Sequence, residues 1–128
     1  MKPSELETMT SKQLGTWGEL YACEVLKRKG YSILEHSWHH SRHGEVDIIA
    51  AQDGTIVFVE VKTRRTVQKG RPLEAITRQK YYQIRKCAAA YLTMNSNACS
   101  GVRIDAVGIL AQPSGIHFRH IKEVKMYF

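Results

Sequence analysis

The stretch from Thr55 to Lys62, Thr-Ile-Val-Phe-Val-Glu-Val-Lys, constrains the fold more than any other part of the chain. It is apolar on both faces until its end, and such a strand needs packed layers above and below it. It therefore reads as a central strand of a sheet. Just before it stands Gln52-Asp53-Gly54, and Asp-Gly is a strong tight-turn signal. The residues ahead of that turn, Glu45 to Ala51, are also β-type, so the two segments are expected to pair as a hairpin.

The other elements assemble around this hairpin. Leu14, Trp17, Tyr21, Val25 and Leu26 fall at helical spacing within Ser11 to Lys29, with Thr10 or Ser11 as a cap and Gly30 as a stop. Tyr31 to Trp38 reads as a strand, with Tyr31 and Trp38 in the core. Thr63 to Pro72 is a basic loop. A second helix is expected from Leu73 to Met94, with Ile76, Ile84, Cys87, Ala88, Tyr91 and Leu92 on its buried stripe. Strands near Val102 to Leu110 and Ile116 to Ile121 are joined by Pro113-Ser114-Gly115. The order α-β-β-β-α-β-β gives an α/β domain, a central mixed five-stranded sheet flanked by helices. The 128 residues leave room for one domain, 11–128, preceded by a flexible segment, 1–10.

Charge narrows the function classes. The formal net charge is +7, and the window from Glu60 to Lys86 alone holds nine Lys or Arg against two Glu. The rest of the chain is close to balanced. A concentrated positive window suits a polyanionic partner such as a phosphate backbone; a solvated basic surface is the plain alternative. No apolar run approaches the roughly 20 residues of a membrane span, and the polar, acidic N-terminus does not read as a targeting peptide. Cys23, Cys87 and Cys99 are an odd number at unremarkable spacing, which reads as reduced thiols in a cytoplasmic protein.

The chemistry is expected at the hairpin. Glu60 and Lys62 are two apart on one strand and share a face. Asp47 lies opposite the Glu60 end if the Asp-Gly turn closes the hairpin. Buried charges are costly unless paired or bound to a metal, so three converging charged groups need a reason. Phosphodiester hydrolysis is one. Asp47 and Glu60 can ligate a hard divalent cation, Mg²⁺ or Mn²⁺, with the backbone carbonyl of Val61 completing part of the shell. Lys62 can then orient the attacking water or stabilise charge on phosphorus. A structural Glu-Lys pair at a strand end is the alternative.

Further residues extend this set. Glu19 lies on the flank of the first helix beside Gly15, Gly18 and Ala22, small residues that let a helix approach a sheet. It is a candidate fourth acidic group, as metal ligand or outer base, against a solvent-facing glutamate. Lys80 is four residues from both Ile76 and Ile84, where lysine seldom sits without a partner; Gln79 is adjacent. Arg64, Arg65, Lys69 and Arg71 follow the strand directly and are candidates for gripping phosphates. His36, His39, His40 and His43 read as loop histidines, not as metal ligands.

Three runs carry a resemblance: Gly15-x-x-Gly18-Glu19-x-x-Ala22, Gly44-Glu45-Val46-Asp47-Ile48-Ile49-Ala50, and Val57-Phe58-Val59-Glu60-Val61-Lys62-Thr63-Arg64. With the helix around Lys80 and the segment Val102-Arg103-Ile104-Asp105, they closely resemble the bacterial YraN-like family over nearly the whole chain. That family is similar to archaeal Holliday junction resolvases of the restriction-endonuclease-like superfamily. The resemblance implies the restriction-endonuclease-like fold and catalytic positions at Glu19, Asp47, Glu60 and Lys62. It also implies action on DNA, including branched or recombination intermediates, and a homodimer, because two opposed strands must be cut. A non-catalytic nucleic-acid-binding module is the second expectation, and an interaction protein with no nucleic-acid role the third.

Overall fold

The computed structural model describes residues 3–68, 70–95 and 99–125. In chain order these form helix α1 (Pro3–Glu7), helix α2 (Ser11–Arg28), strands β1 (Ser32–His40), β2 (Gly44–Gln52) and β3 (Thr55–Arg64), a 3-10 turn (Pro72–Ala75), helix α3 (Arg78–Met94), and strands β4 (Gly101–Gln112) and β5 (Gly115–Ile121). The five strands lie in the order β1-β2-β3-β4-β5. Every neighbouring pair is antiparallel except β3 and β4, which run parallel. A parallel neighbour needs a crossover, and α3 supplies it.

The central strand behaves as its composition demands. Val57, Val59 and Val61 pack with Ala22, Cys23 and Leu26 of α2, whereas Ile56 and Phe58 pack with Ile84, Cys87, Ala88 and Tyr91 of α3. Alternate residues thus feed two cores, one on each face of the sheet. Asp53 and Gly54 both have positive φ, 51° and 80°, and Gln52 pairs with Thr55, so the β2–β3 connection is a two-residue hairpin turn. Tyr31 is buried, and Trp38 packs edge-on against Tyr91.

Capping explains the helix limits. The Thr10 hydroxyl accepts from Gln13 N–H at 3.1 Å and the Gln13 side chain accepts from Thr10 N–H at 2.9 Å, which starts α2 at Ser11. The second long helix starts later than its apolar pattern suggests. Thr77 is extended (φ −89°, ψ 166°) and its side chain accepts from Lys80 N–H, so α3 begins at Arg78. Leu73 belongs to the separate 3-10 turn, and Ile76 lies between the two. The capping bond competes locally with helix propagation and wins over the hydrophobic spacing.

Two other stretches differ from expectation. Residues 3–7, in the segment read as a flexible lead-in, form α1, whose Leu6 is only 3% exposed and packs with Leu14 and Ala111. The histidine-rich stretch is mostly strand, because β1 runs to His40 and the turn to β2 spans only residues 41–43. Among the described residues no helix is long and apolar enough to cross a membrane. Cys23 and Cys87 are buried thiols and Cys99 is an exposed one.

Candidate active site

The site forms where two strands part. The β2–β3 ladder runs from Gln52↔Thr55 to Ile48↔Val59 and stops there. Beyond that point β2 stays with β1 as far as Gly44, and β3 stays with β4 as far as Arg64. Asp47 stands at the fork. Its Oδ2 accepts a 2.8 Å hydrogen bond from Val61 N–H, so the carboxylate takes the place of the missing main-chain partner. A cleft of about 450 Å³ opens beside it, lined by Glu19, Asp47, Glu60, Lys62, Arg64 and Lys80 among others. The four residues expected to carry catalysis thus border one space.

Close approach of α2 completes the cleft. A Cβ added at Gly18 would collide with the Thr63 hydroxyl, so glycine there lets the helix lie directly on β3. Glu19, next in sequence, is thereby brought toward Asp47. Its Oε1 receives the Ser37 hydroxyl at 3.2 Å and faces His36 Nε2 at 3.4 Å. Burial first, then the Asp47 charge, raise the Glu19 pKa above the ordinary carboxylate range, while Ser37 and His36 act against the rise. His36, expected as a loop residue, is therefore a strand residue that helps hold an acidic group of the site.

Glu45 is the acidic member that sequence reasoning missed. Oxygens of Glu19, Glu45 and Asp47 lie within 4.8 Å of one another. The signal was present: Glu45 is two residues before Asp47 on the same strand, the spacing that had already joined Glu60 to Lys62. Glu60 meets the group from the other strand. It is 4% exposed, and its pKa is pushed up to about 9 by burial and then by its hydrogen bond and charge contact with Asp47; Lys80 and Lys62 offset this only in part. Asp47 thus belongs both to the Glu19–Glu45 cluster and to a pair with Glu60.

This donor set fits a hard divalent cation. Carboxylate oxygens from α2 and β2 converge, and on β3 Glu60 is pushed toward its protonated form by burial and by Asp47, more than Lys80 and Lys62 offset. Glu19, Glu45 and Asp47 could hold such an ion, with Glu60 adjacent. Lys80 Nζ lies 3.5 Å from Glu60 Oε2, the partner expected for a lysine on the inner side of α3. Val61 lines the cleft as well, and its N–H is bonded to Asp47.

The expected phosphate-gripping residues divide. Arg64 lines the cleft, and its Nε makes no hydrogen bond. Arg65 turns away: its guanidinium donates to Leu6 O at 3.0 and 3.2 Å and to Met9 O, tying β3 to the N-terminal segment. Arg71 borders a different cavity, beside Pro72 and Leu73. Gln79 is exposed in the first turn of α3. Lys69 lies outside the described residues.

Comparison with known sequences identifies the family. Residues 18–109 match the uncharacterised protein family UPF0102, a span that includes Glu19, Glu45, Asp47, Glu60, Lys62 and Lys80. A UPF0102 protein of Syntrophomonas wolfei subsp. wolfei is 40% identical over 111 residues, covering 87% of this chain and 96% of the relative. One from Chlorobium limicola is 45% identical over 98 residues, covering 77% and 75%. One from Bifidobacterium longum is 40% identical over 117 residues, covering 89% and 94%. The chain belongs to family UPF0102.

Proposed function

We propose that the chain is a metal-dependent nuclease that hydrolyses phosphodiester bonds in DNA. The observation that carries this reading is the undercompensated carboxylate group at the fork of β2 and β3, with a lysine on the same cleft. Glu19, Glu45 and Asp47 would hold Mg²⁺ or Mn²⁺, with Glu60 beside them. When bound, such an ion polarises a phosphoryl oxygen and lowers the pKa of a coordinated water.

The chain's own residues supply the rest. Val61 N–H fixes Asp47, so its orientation does not depend on the substrate. Ser37 and His36 do the same for Glu19, and Lys80 for Glu60. Lys62, on the wall of the cleft, stabilises charge developing on the phosphoryl oxygens, and Arg64 holds a neighbouring phosphate. Lys62, Arg64 and Lys80 all line the cleft, and their positive charge draws the polyanion toward it. The motif resemblance to junction resolvases makes four-way DNA the first substrate to try, with a homodimer cutting two strands in the cytoplasm.

Purified protein incubated with Mg²⁺ or Mn²⁺ on linear duplex, single-stranded and four-way DNA tests this reading. Cleavage is expected only with the metal, reduced at least about 100-fold in Asp47→Ala and in Lys62→Ala while both keep the native circular dichroism spectrum. No cleavage on any substrate, or full cleavage by Asp47→Ala, overturns it. Salt-sensitive DNA binding that needs neither Asp47 nor metal would identify a binding module instead.

A further inference from the structure

A second depression adjoins the candidate catalytic strand, and nothing in the cleavage chemistry uses it. Gly108 and Leu110, two apart on β4, form its floor. Val67, Pro72 and Leu73 form an apolar wall, and Arg71, His117 and Arg119 stand at its rim. Its volume is about 310 Å³. The wall depends on a missing side chain, because a Cβ at Gly108 would lie 2.8 Å from Leu73 Cγ and 3.2 Å from Pro72 Cβ. Glycine lets the 3-10 turn sit down on the sheet at this point.

Its place in the sheet gives the depression meaning. Gly108 is the register partner of Lys62, so the floor begins one strand spacing, about 4.8 Å, from the backbone of Lys62. His117 and Arg119 pair with Leu110 and Gly108 across β4 and β5, and both are exposed. The described lining thus joins apolar walls to guanidinium and imidazole groups, with no carboxylate among them.

That combination selects its ligand. An apolar floor disfavours a free phosphate or any other compact anion, which would lose its hydration there. A basic rim disfavours a plain hydrocarbon or a basic peptide. A planar base tethered to phosphates satisfies both parts: its flat face packs on the apolar wall or under a guanidinium, and its phosphates meet the rim. We propose that this pocket takes the base of an unpaired nucleotide adjoining the phosphodiester bond at Lys62. A base stacked in a duplex cannot enter without being extruded, so the pocket favours flaps, gaps, single strands and junction crossings over continuous duplex. The proposal rests on the nuclease reading for its position, but base binding can be measured without cleavage.

The test is fluorescence anisotropy on the full chain with EDTA present, comparing a labelled oligonucleotide of ten thymidines with an abasic decamer of equal charge. The abasic strand is expected to bind about tenfold more weakly. Leu110→Trp, which fills the depression, should weaken the thymidine strand toward the abasic level and leave the abasic strand unchanged. Should that variant misfold, photocrosslinking of a 5-iodouracil strand to the unmodified protein provides the second measurement, with adducts expected within residues 67–73 or 108–119. Equal affinity for the two decamers, or adducts confined to other segments, overturns the pocket. Metal-dependent cleavage alongside base-independent binding would remove the pocket and keep the nuclease reading. Base-dependent binding with adducts in the pocket by a protein that cleaves nothing would keep the pocket and remove that reading.

Discussion

The molecule buries carboxylates in two places and treats them differently. Asp105, 0% exposed on β4, is surrounded by donors. Arg103 reaches it at 2.8 and 3.1 Å, His120 Nε2 at 2.7 Å and Glu123 N–H at 3.0 Å, and Arg103 also donates to the Tyr31 hydroxyl at 2.8 Å. Burial pushes the Asp105 pKa up, but His120, Arg103 and Glu123 N–H outweigh it and the net shift is downward. Glu60, 4% exposed on β3, has Lys80 at 3.5 Å and an acidic neighbour in Asp47, and its pKa rises to about 9. One buried acid is fully satisfied and the other is not. A satisfied carboxylate binds a fold together; an unsatisfied one at the edge of a cleft is suited to receive a cation.

Substitution should separate the two sites most sharply. Asp105→Ala leaves the Arg103 guanidinium without its main partner beside His120, and should cost about 3–5 kcal/mol of stability. Asp47→Asn removes one of several mutually repelling acids and should leave the metal-free melting temperature unchanged or higher. Chemical denaturation of both variants, with thermal melts beside it, measures this. Equal losses in the two would abolish the distinction drawn between them.

A smaller effect appears in the pH dependence of stability. Glu60 has a folded pKa above its unfolded value, so it favours the folded state below about pH 4.5, and that contribution is lost as pH rises toward about 9. Asp105 has the opposite sign: its lowered pKa gives stability above pH 3.8 that is lost as acid is added. Glu60→Gln, which cannot ionise, should therefore melt about 3 °C or more above the unmodified protein at pH 8 without metal, with the gap closing near pH 4.5. A gap that stays constant across that range would show that Glu60 does not hold a proton.

Much of the fold was legible because its physics is local. The apolar faces of β3, the Asp53-Gly54 turn and the stop at Gly30 each act within a few residues, and all three are found. The start of α3 was misplaced because the Thr77 cap overrides hydrophobic spacing that continues upstream of it. Asp47, Glu60 and Lys62 were visible through strand alternation and hairpin pairing. Glu45 carries the same signal, two residues from Asp47 on one strand, but only the close approach of α2 brings Glu19 to that pair. Two contacts needed the folded chain: Arg65 is captured by the carbonyls of Leu6 and Met9, 59 and 56 residues away, and His36 reaches Glu19 across from β1 to α2. No local pattern encodes such pairings.

On the reading proposed above, the acids at the strand fork gather a divalent cation. Mn²⁺ binding followed by electron paramagnetic resonance at pH 7.5 tests it directly, on the unmodified protein, Asp47→Asn, Glu45→Gln and Asp105→Asn. Saturable binding is expected in the unmodified protein, at least about tenfold weaker in Asp47→Asn and weakened in Glu45→Gln, and unaffected in Asp105→Asn so long as that variant remains folded. No Mn²⁺ binding, or binding that ignores Asp47 and Glu45, would rule out a cation site at the fork.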